Sequence, residues 1–173
     1  MKDNLRASDP REDIVAHLPQ LRAFARSLTH DTVSADDLVQ DTLVKAWKGI
    51  HTFTPGTNLK AWLFTILRNT YFADLRKAKS RPTISETPLT DDMAVTKATD
   101  TQIAMIDFER ALGMLPVTQR EAIVLVGATG LSYQEAAATC GVSIGTIKSR
   151  VNRGRARLAE LLERGAAERS KMG

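Results

Sequence analysis

Cysteine occurs once in this 173-residue chain, at Cys140, so an intramolecular disulfide is excluded. Its place just before a turn glycine suits a small buried side chain better than a redox sensor. Histidine is nearly as scarce. His17, His30 and His51 do not stand at metal-ligand spacing from the acids or from Cys140, and no metal or cofactor is expected. No glycine-rich phosphate loop and no nucleophile elbow occurs, which argues against an enzyme and against a small-molecule substrate. No apolar run approaches transmembrane length, and the polar opening MKDNLRASDPRED holds no apolar signal segment. A soluble, cytoplasmic chain without membrane insertion is therefore expected. Glycine and proline are sparse, and no segment shows a convincing apolar–polar alternation. The expected fold class is all-α.

What the chain does have is concentrated between Leu131 and Leu158, LSYQEAAATCGVSIGTIKSRVNRGRARL. Ser132 and Glu135 stand at capping-box spacing. Gly141 supplies a residue that accepts positive φ and ends the first helix. Ser143 caps a second, whose apolar members Ile144, Ile147 and Val151 recur at helical spacing. Ala136, Ala137, Val142 and Ile147 are the small or branched residues where two crossed helices meet. Lys148, Arg150, Arg153, Arg155 and Arg157 are left for the outside. A capped N-terminus, an apolar inner face and an outer face of donors together describe a helix-turn-helix whose second helix enters the DNA major groove. A helical hairpin with a solvated basic face is the blander alternative.

Charge is unevenly spread. Ser143 to Lys171 holds eight Lys/Arg against three acids, and Lys60 to Arg81 holds six against Asp74 alone. Between them, Pro82 to Leu112 carries six acids against Lys97 and Arg110. Two basic blocks around an acidic one point to two surfaces on a polyanion.

Helical periodicity places a first helix from Asp13 to Leu28 and a second opening at Ser34 as N-cap, with Asp36 and Asp37 in its first turn. Leu38, Val39, Thr42, Leu43, Ala46, Trp47 and Ile50 form its inner face. Asp37, Gln40, Asp41, Val44 and Lys48 fall opposite, and a valine among acids hints at a docking surface; the aspartates here are read as capping and docking groups, not metal ligands. Pro55-Gly56 marks a turn before a third helix, Asn58 to Lys79. The stretch 80–100 is rich in Thr, Ser, Asp and Pro and reads as a linker. Beyond it the pattern gives helices at 101–112, 117–127, 132–140 and 143–162. The domains are thus 10–79 and 101–165.

This arrangement resembles the extracytoplasmic-function sigma factors of bacteria, in the sigma-70 family. The resemblance rests on Ala35-Asp36-Asp37-Leu38-Val39-Gln40-Asp41-Thr42, Ala46-Trp47, Asn58-Leu59-Lys60-Ala61-Trp62-Leu63, Ile66-Leu67-Arg68-Asn69 and the helix-turn-helix, in that order along the chain. It implies a sigma region 2-like domain, a linker and a sigma region 4-like domain, in a subunit that directs core RNA polymerase to promoter DNA and assists opening. By the same resemblance, Asp37, Gln40, Asp41 and Val44 dock on core polymerase. The third helix and the loop before it open the −10 element through Phe53, Asn58, Lys60, Arg68, Asn69 and Arg76. Of Trp62, Phe64, Tyr71 and Phe72, at most one is expected to touch a base. The −35 element falls to Thr146, Ser149, Arg150 and Arg153 in the groove, with Lys148, Arg155 and Arg157 on the backbone. The runs TNLKAWLFTILRNTYF and LPQLRAFARSLTHD are most similar to the general-stress, EcfG-like branch, which implies control by a small anti-sigma protein. Two alternatives stay open: a stand-alone helix-turn-helix regulator, and a sigma-like mimic that binds partners and never promoters.

Overall fold

The computed structural model describes residues 10–80 and 99–172. All eight α-helices among them follow the all-α expectation, and no strand occurs among the described residues. Most of the expected linker, 81–98, lies outside them.

The expected first helix is two. α1 (Pro10–Ala16) stops and α2 (Leu18–Thr29) begins afresh, because Pro19 sits in the first turn of α2 and has no N–H to carry the ladder across His17. α2 ends on His30 in the left-handed region at φ 59°, its N–H donating to the carbonyl of Arg26. α3 (Thr32–Gly49) starts two residues before the expected cap. Asp31 is extended and its carboxylate accepts from the backbone N–H of Ser34 at 2.7 Å, so Asp31, not Ser34, is the N-cap. Asp36 and Asp37 consequently lie past the first turn. Trp47 also departs from its expected inner position: it is 57% exposed.

A single 3₁₀ turn (Ile50–Thr52) leads to α4 (Leu59–Ser80), whose first turn is capped by Asn58 Oδ1 accepting from Ala61 N–H. Leu63, Phe64 and Leu67 are fully buried, and Phe64 meets Phe24 edge-on at 5.2 Å. This is the core of the first helical unit.

The second unit opens with α5 (Asp100–Gly113), held by a Thr99–Gln102 capping box. α6 (Val117–Ile123) widens into a π turn over Val124–Ala128, so the stretch expected as one helix to Gly127 changes register near its end. α7 (Tyr133–Cys140) and α8 (Ile144–Met172) form the expected helix-turn-helix, with Gly141 at φ 65° between them. α8 runs well past Leu162 because no proline stops it and its far end pairs Arg169 with Asp107 on α5.

The two units do not stand apart. α4 packs on α7 and α2 on α6, and one apolar core continues from Ile14, Leu21 and Phe64 to Leu125, Ile147 and Val151.

Candidate nucleic-acid interface and docking face

The helix-turn-helix is built as its sequence dictates. Ser132 Oγ accepts from Glu135 N–H while the Glu135 carboxylate takes the Ser132 N–H at 2.8 Å, closing both orphan donors of α7. Ser143 Oγ accepts from Thr146 N–H at 3.1 Å and also meets the Thr146 hydroxyl at 2.9 Å. Ile147 and Val151 are fully buried beneath the first turns of α8. Lys148, Arg153, Arg155 and Arg157 are exposed, as a groove or phosphate role requires. Thr146 and Ser149 are half-buried and engaged locally, Ser149 Oγ donating to the Thr146 carbonyl.

Arg150 is elsewhere. It is half-buried and turned inward, with Nη1 3.4 Å from Glu121 Oε1 on α6. Arg68 comes to the same carboxylate from α4, with Nε 2.9 Å from Oε2 and Nη2 3.3 Å from Oε1. Glu121 itself is fully buried. Arg68 also lies over the Phe72 ring, 4.6 Å from its centroid. Removing one member of a buried charge cluster leaves the others uncompensated, which typically costs about 3–5 kcal/mol.

Other members of the −10 set reach the same seam. Asn58 Nδ2 donates to Glu135 Oε1 at 2.6 Å, and Lys60 Nζ donates to the carbonyl of Thr129. Thr65 Oγ1, one turn before Arg68, lies 3.3 Å from Thr139 Oγ1. The hydrogen bond from Asn58, with the Ser132 N–H and hydroxyl, holds the Glu135 carboxyl below its ordinary range. Cys140 is buried beside this cluster; desolvation first, then the Glu121 carboxylate, push its thiol up to about 12. It is an inert packing residue, as its position suggested. The remaining −10 candidates stay outside: Asn69 and Arg76 are exposed, and Phe53 is half-buried against Trp62 at 5.5 Å between ring centroids. Of the four helix-face aromatics, Phe64 belongs wholly to the core, while Trp62, Tyr71 and Phe72 are half-buried.

The residues expected to dock lie together on the surface. Asp37, Gln40, Asp41, Val44 and Lys48 are all exposed along α3. Trp47, read as core, joins them one turn beyond Val44, which is itself 52% exposed. The result is an apolar pair beside an acidic row.

Two residues escaped the sequence reading. Glu121 was an unremarked member of a helix, yet Val117, Glu121, Val124 and Leu125 share one helical face, and a carboxylate in an apolar stripe is the available signal. Arg120 is the second. It is buried, and its Nη1 donates to the Gly113 carbonyl at 3.1 Å and stands 3.4 Å from His30 Nδ1.

Comparison with known proteins follows these two units. The model of Sigma-70 region 2 matches residues 14–81, and that of Sigma-70 region 4 matches residues 105–158. The chain is 48% identical over 158 residues to the ECF RNA polymerase sigma factor EcfG of Rhodopseudomonas palustris, covering 91% of this chain and 87% of that one. Among solved structures it is similar to the sigma factor RpoE in complex with the anti-sigma factor NepR from Bartonella quintana. That likeness has a TM-score of 0.74 and 48% identity, over 91% of this chain and 98% of the other. It is also similar to CnrH in complex with the cytosolic domain of CnrY, with a TM-score of 0.65 and 31% identity over 88% and 86% of the two chains.

Proposed function

The chain belongs to the extracytoplasmic-function RNA polymerase sigma factors, and on that footing we propose how its residues divide the work. The family is not an enzyme class; it directs core RNA polymerase to promoters. In this chain the unit 10–79 docks on core polymerase through Asp37, Gln40, Asp41 and Val44, an acidic face suited to a basic partner. The same unit opens the −10 element, with Asn58, Lys60, Arg68, Asn69 and Arg76 on the displaced strand and the Phe53 loop beside an extruded base. The unit 101–165 reads the −35 element with α8. The segment 80–100, at most ~3.3–3.6 Å per residue, is long enough to let the units reach both elements.

A small anti-sigma protein controls the chain, a reading supported by the likeness to sigma factors solved with NepR and with CnrY. A general-stress role follows the similarity to EcfG. The place of action is the cytoplasm, where core polymerase works; no helix among the described residues is long and apolar enough to cross a membrane.

The observation that carries this reading is the capped α8 with Lys148, Arg153, Arg155 and Arg157 exposed on a helix-turn-helix, joined in one chain to the acidic face of α3. Run-off transcription tests it. Core polymerase with this protein, on a pool of genomic promoter fragments, gives discrete new transcripts that share two upstream elements. Duplex binding without core, and no transcripts, is the result of a stand-alone helix-turn-helix regulator instead.

A further inference from the structure

We infer that Asn152 is a base-reading residue of α8 and that it selects an adenine in the −35 element. Its Oδ1 accepts from the adenine N6 amino group and its Nδ2 donates to N7. The inference rests on the promoter-reading role of α8 proposed above and names a further residue, and a base, within it.

The outer face of α8 is fixed by what lies beneath it. Ile147, Val151, Gly154 and Leu158 are buried on one side. At ~100° per residue the opposite side runs through Gly145, Ser149, Asn152 and Ala156, spaced four, three and four residues apart. Exposed cations flank this crest, Lys148 and Arg155 along one edge, Arg153 and Arg157 along the other. A helix so built meets the two phosphate strands of a major groove with its edges and the bases with its crest. Little on the crest holds the helix away from the base edges. Gly145 has no side chain, Ala156 ends at a methyl, and Ser149 Oγ is turned back onto the Thr146 carbonyl at 2.9 Å. The Thr146 hydroxyl is engaged with Ser143, and Arg150 with Glu121. Asn152 is exposed, and its amide makes no hydrogen bond among the described residues.

The fold does not call for asparagine at this place. Asparagine is disfavoured in helix interiors and preferred at caps and turns, where its side chain bonds to nearby backbone. Asn152 stands inside α8 and neither caps nor bonds back. A carboxamide carries one donor group beside one acceptor. In the major groove adenine shows the matching pair, N7 as acceptor and the N6 amino group as donor. Guanine shows two acceptors there, so the amide oxygen would face an oxygen. Cytosine offers a lone donor, and thymine a lone acceptor beside its methyl. Adenine alone takes both bonds.

Equilibrium binding of the holoenzyme, core polymerase with this full chain, tests the assignment. The probes are duplexes carrying the −35 element found by run-off transcription, with each base pair replaced in turn. For the wild-type chain, replacing one A·T pair by G·C is expected to weaken binding about tenfold. Asn152→Ala should lose discrimination at that pair and keep the wild-type penalties at every other. Its slope of log affinity against log salt should not change, because a neutral amide displaces no counterion. The position is exposed and alanine is the better helix former, so the variant folds. Wild-type penalties at every pair in Asn152→Ala overturn the inference. So does a uniform loss across all sequences, which marks a backbone contact, or relaxation at a G·C pair instead. The two readings fail separately. A holoenzyme that gives no transcripts removes the promoter role and the adenine contact together. Transcripts from an Asn152→Ala holoenzyme with wild-type discrimination remove the contact alone.

Discussion

Arg120 Nη1 stands 3.4 Å from His30 Nδ1 across the seam between α6 and the end of α2. Burial first, and then the Arg120 charge, lower the His30 pKa from its ordinary 6.5. Arg120 is the charged group facing the ring, with the carbonyl of Gly113 beyond it on the guanidinium. When the seam opens, His30 returns to its ordinary value and takes a proton more readily. The contribution to closure is therefore complete above 6.5 and is lost as pH falls below it toward the lowered value. His30 keeps an exposed edge, so the effect is small: scattering should show the chain only slightly more expanded at about pH 5.5 than at about pH 7.5. His30→Asn removes the titration and keeps a residue tolerant of the left-handed conformation, so its scattering should be flatter over the same range. An unchanged pH response in that variant would discount the His30–Arg120 contact. His17 is lowered as well, by burial and then Lys60, but its neighbours Lys60, Asp13 and Gln20 all belong to the first unit.

The crossing of α6 and α8 depends on Gly154. A β-carbon there would stand 2.6 Å from Ile123 Cδ1, 3.2 Å from Ile123 Cγ1 and 3.3 Å from Gln119 Cβ. Alanine gains up to ~1 kcal/mol of helix propensity, which offsets the shift that the packed Ile123 side chain and Gln119 Cβ must make, so Gly154→Ala should stay within about 1 kcal/mol of wild type. Gly154→Val adds branched bulk that cannot turn away and should cost about 1–3 kcal/mol. Denaturant melts of the two variants decide this. Equal stability would mean that the crossing tolerates the added volume.

The parts of this fold legible in the sequence are those decided within a few residues. Ser132, Glu135, Gly141 and Ser143 act through near neighbours, and the structure places each in its expected role. The break at His17 was also local, but the proline that causes it sits inside an unbroken apolar pattern that outweighed it. Trp47 lies where the inner and outer faces of α3 meet, and periodicity alone does not settle the side of a boundary residue. Glu121 shows the other limit. Its partners, Arg68 and Arg150, lie far away in sequence, and nothing local to α6 names them. The positions of the basic residues were legible; which of them turn inward was not.

Within α8, the exposed cations should divide by what they touch. Arg153→Ala is expected to cost about 1–3 kcal/mol against the preferred −35 sequence and to relax preference at one base pair. Lys148→Ala should weaken all sequences alike and reduce the salt slope by ~0.9. Anisotropy of holoenzyme on a duplex carrying the −35 element found by run-off transcription, and on scrambled versions, distinguishes the two. If Arg153→Ala weakens every sequence equally, that arginine holds backbone instead of base.

On α3, Val44 and Trp47 lie 52% and 57% exposed on adjacent turns, flanked by Asp37, Gln40 and Asp41. An apolar pair inside a charged border is the pattern of an anchor with a steering rim. The two parts should therefore fail differently. Trp47→Ala is expected to weaken binding to core polymerase by ~30-fold, chiefly through faster dissociation, as loss of an aromatic anchor of about 2 kcal/mol would. Asp41→Lys should act mainly on the association rate and lose much of its effect in high salt. Surface-immobilised core polymerase, with rates read at two ionic strengths, separates these outcomes. Circular dichroism melts should leave both variants near wild type, because neither side chain belongs to the buried core. Equal rates for Trp47→Ala and wild type would remove the tryptophan from the docking face and leave the acidic row to act alone.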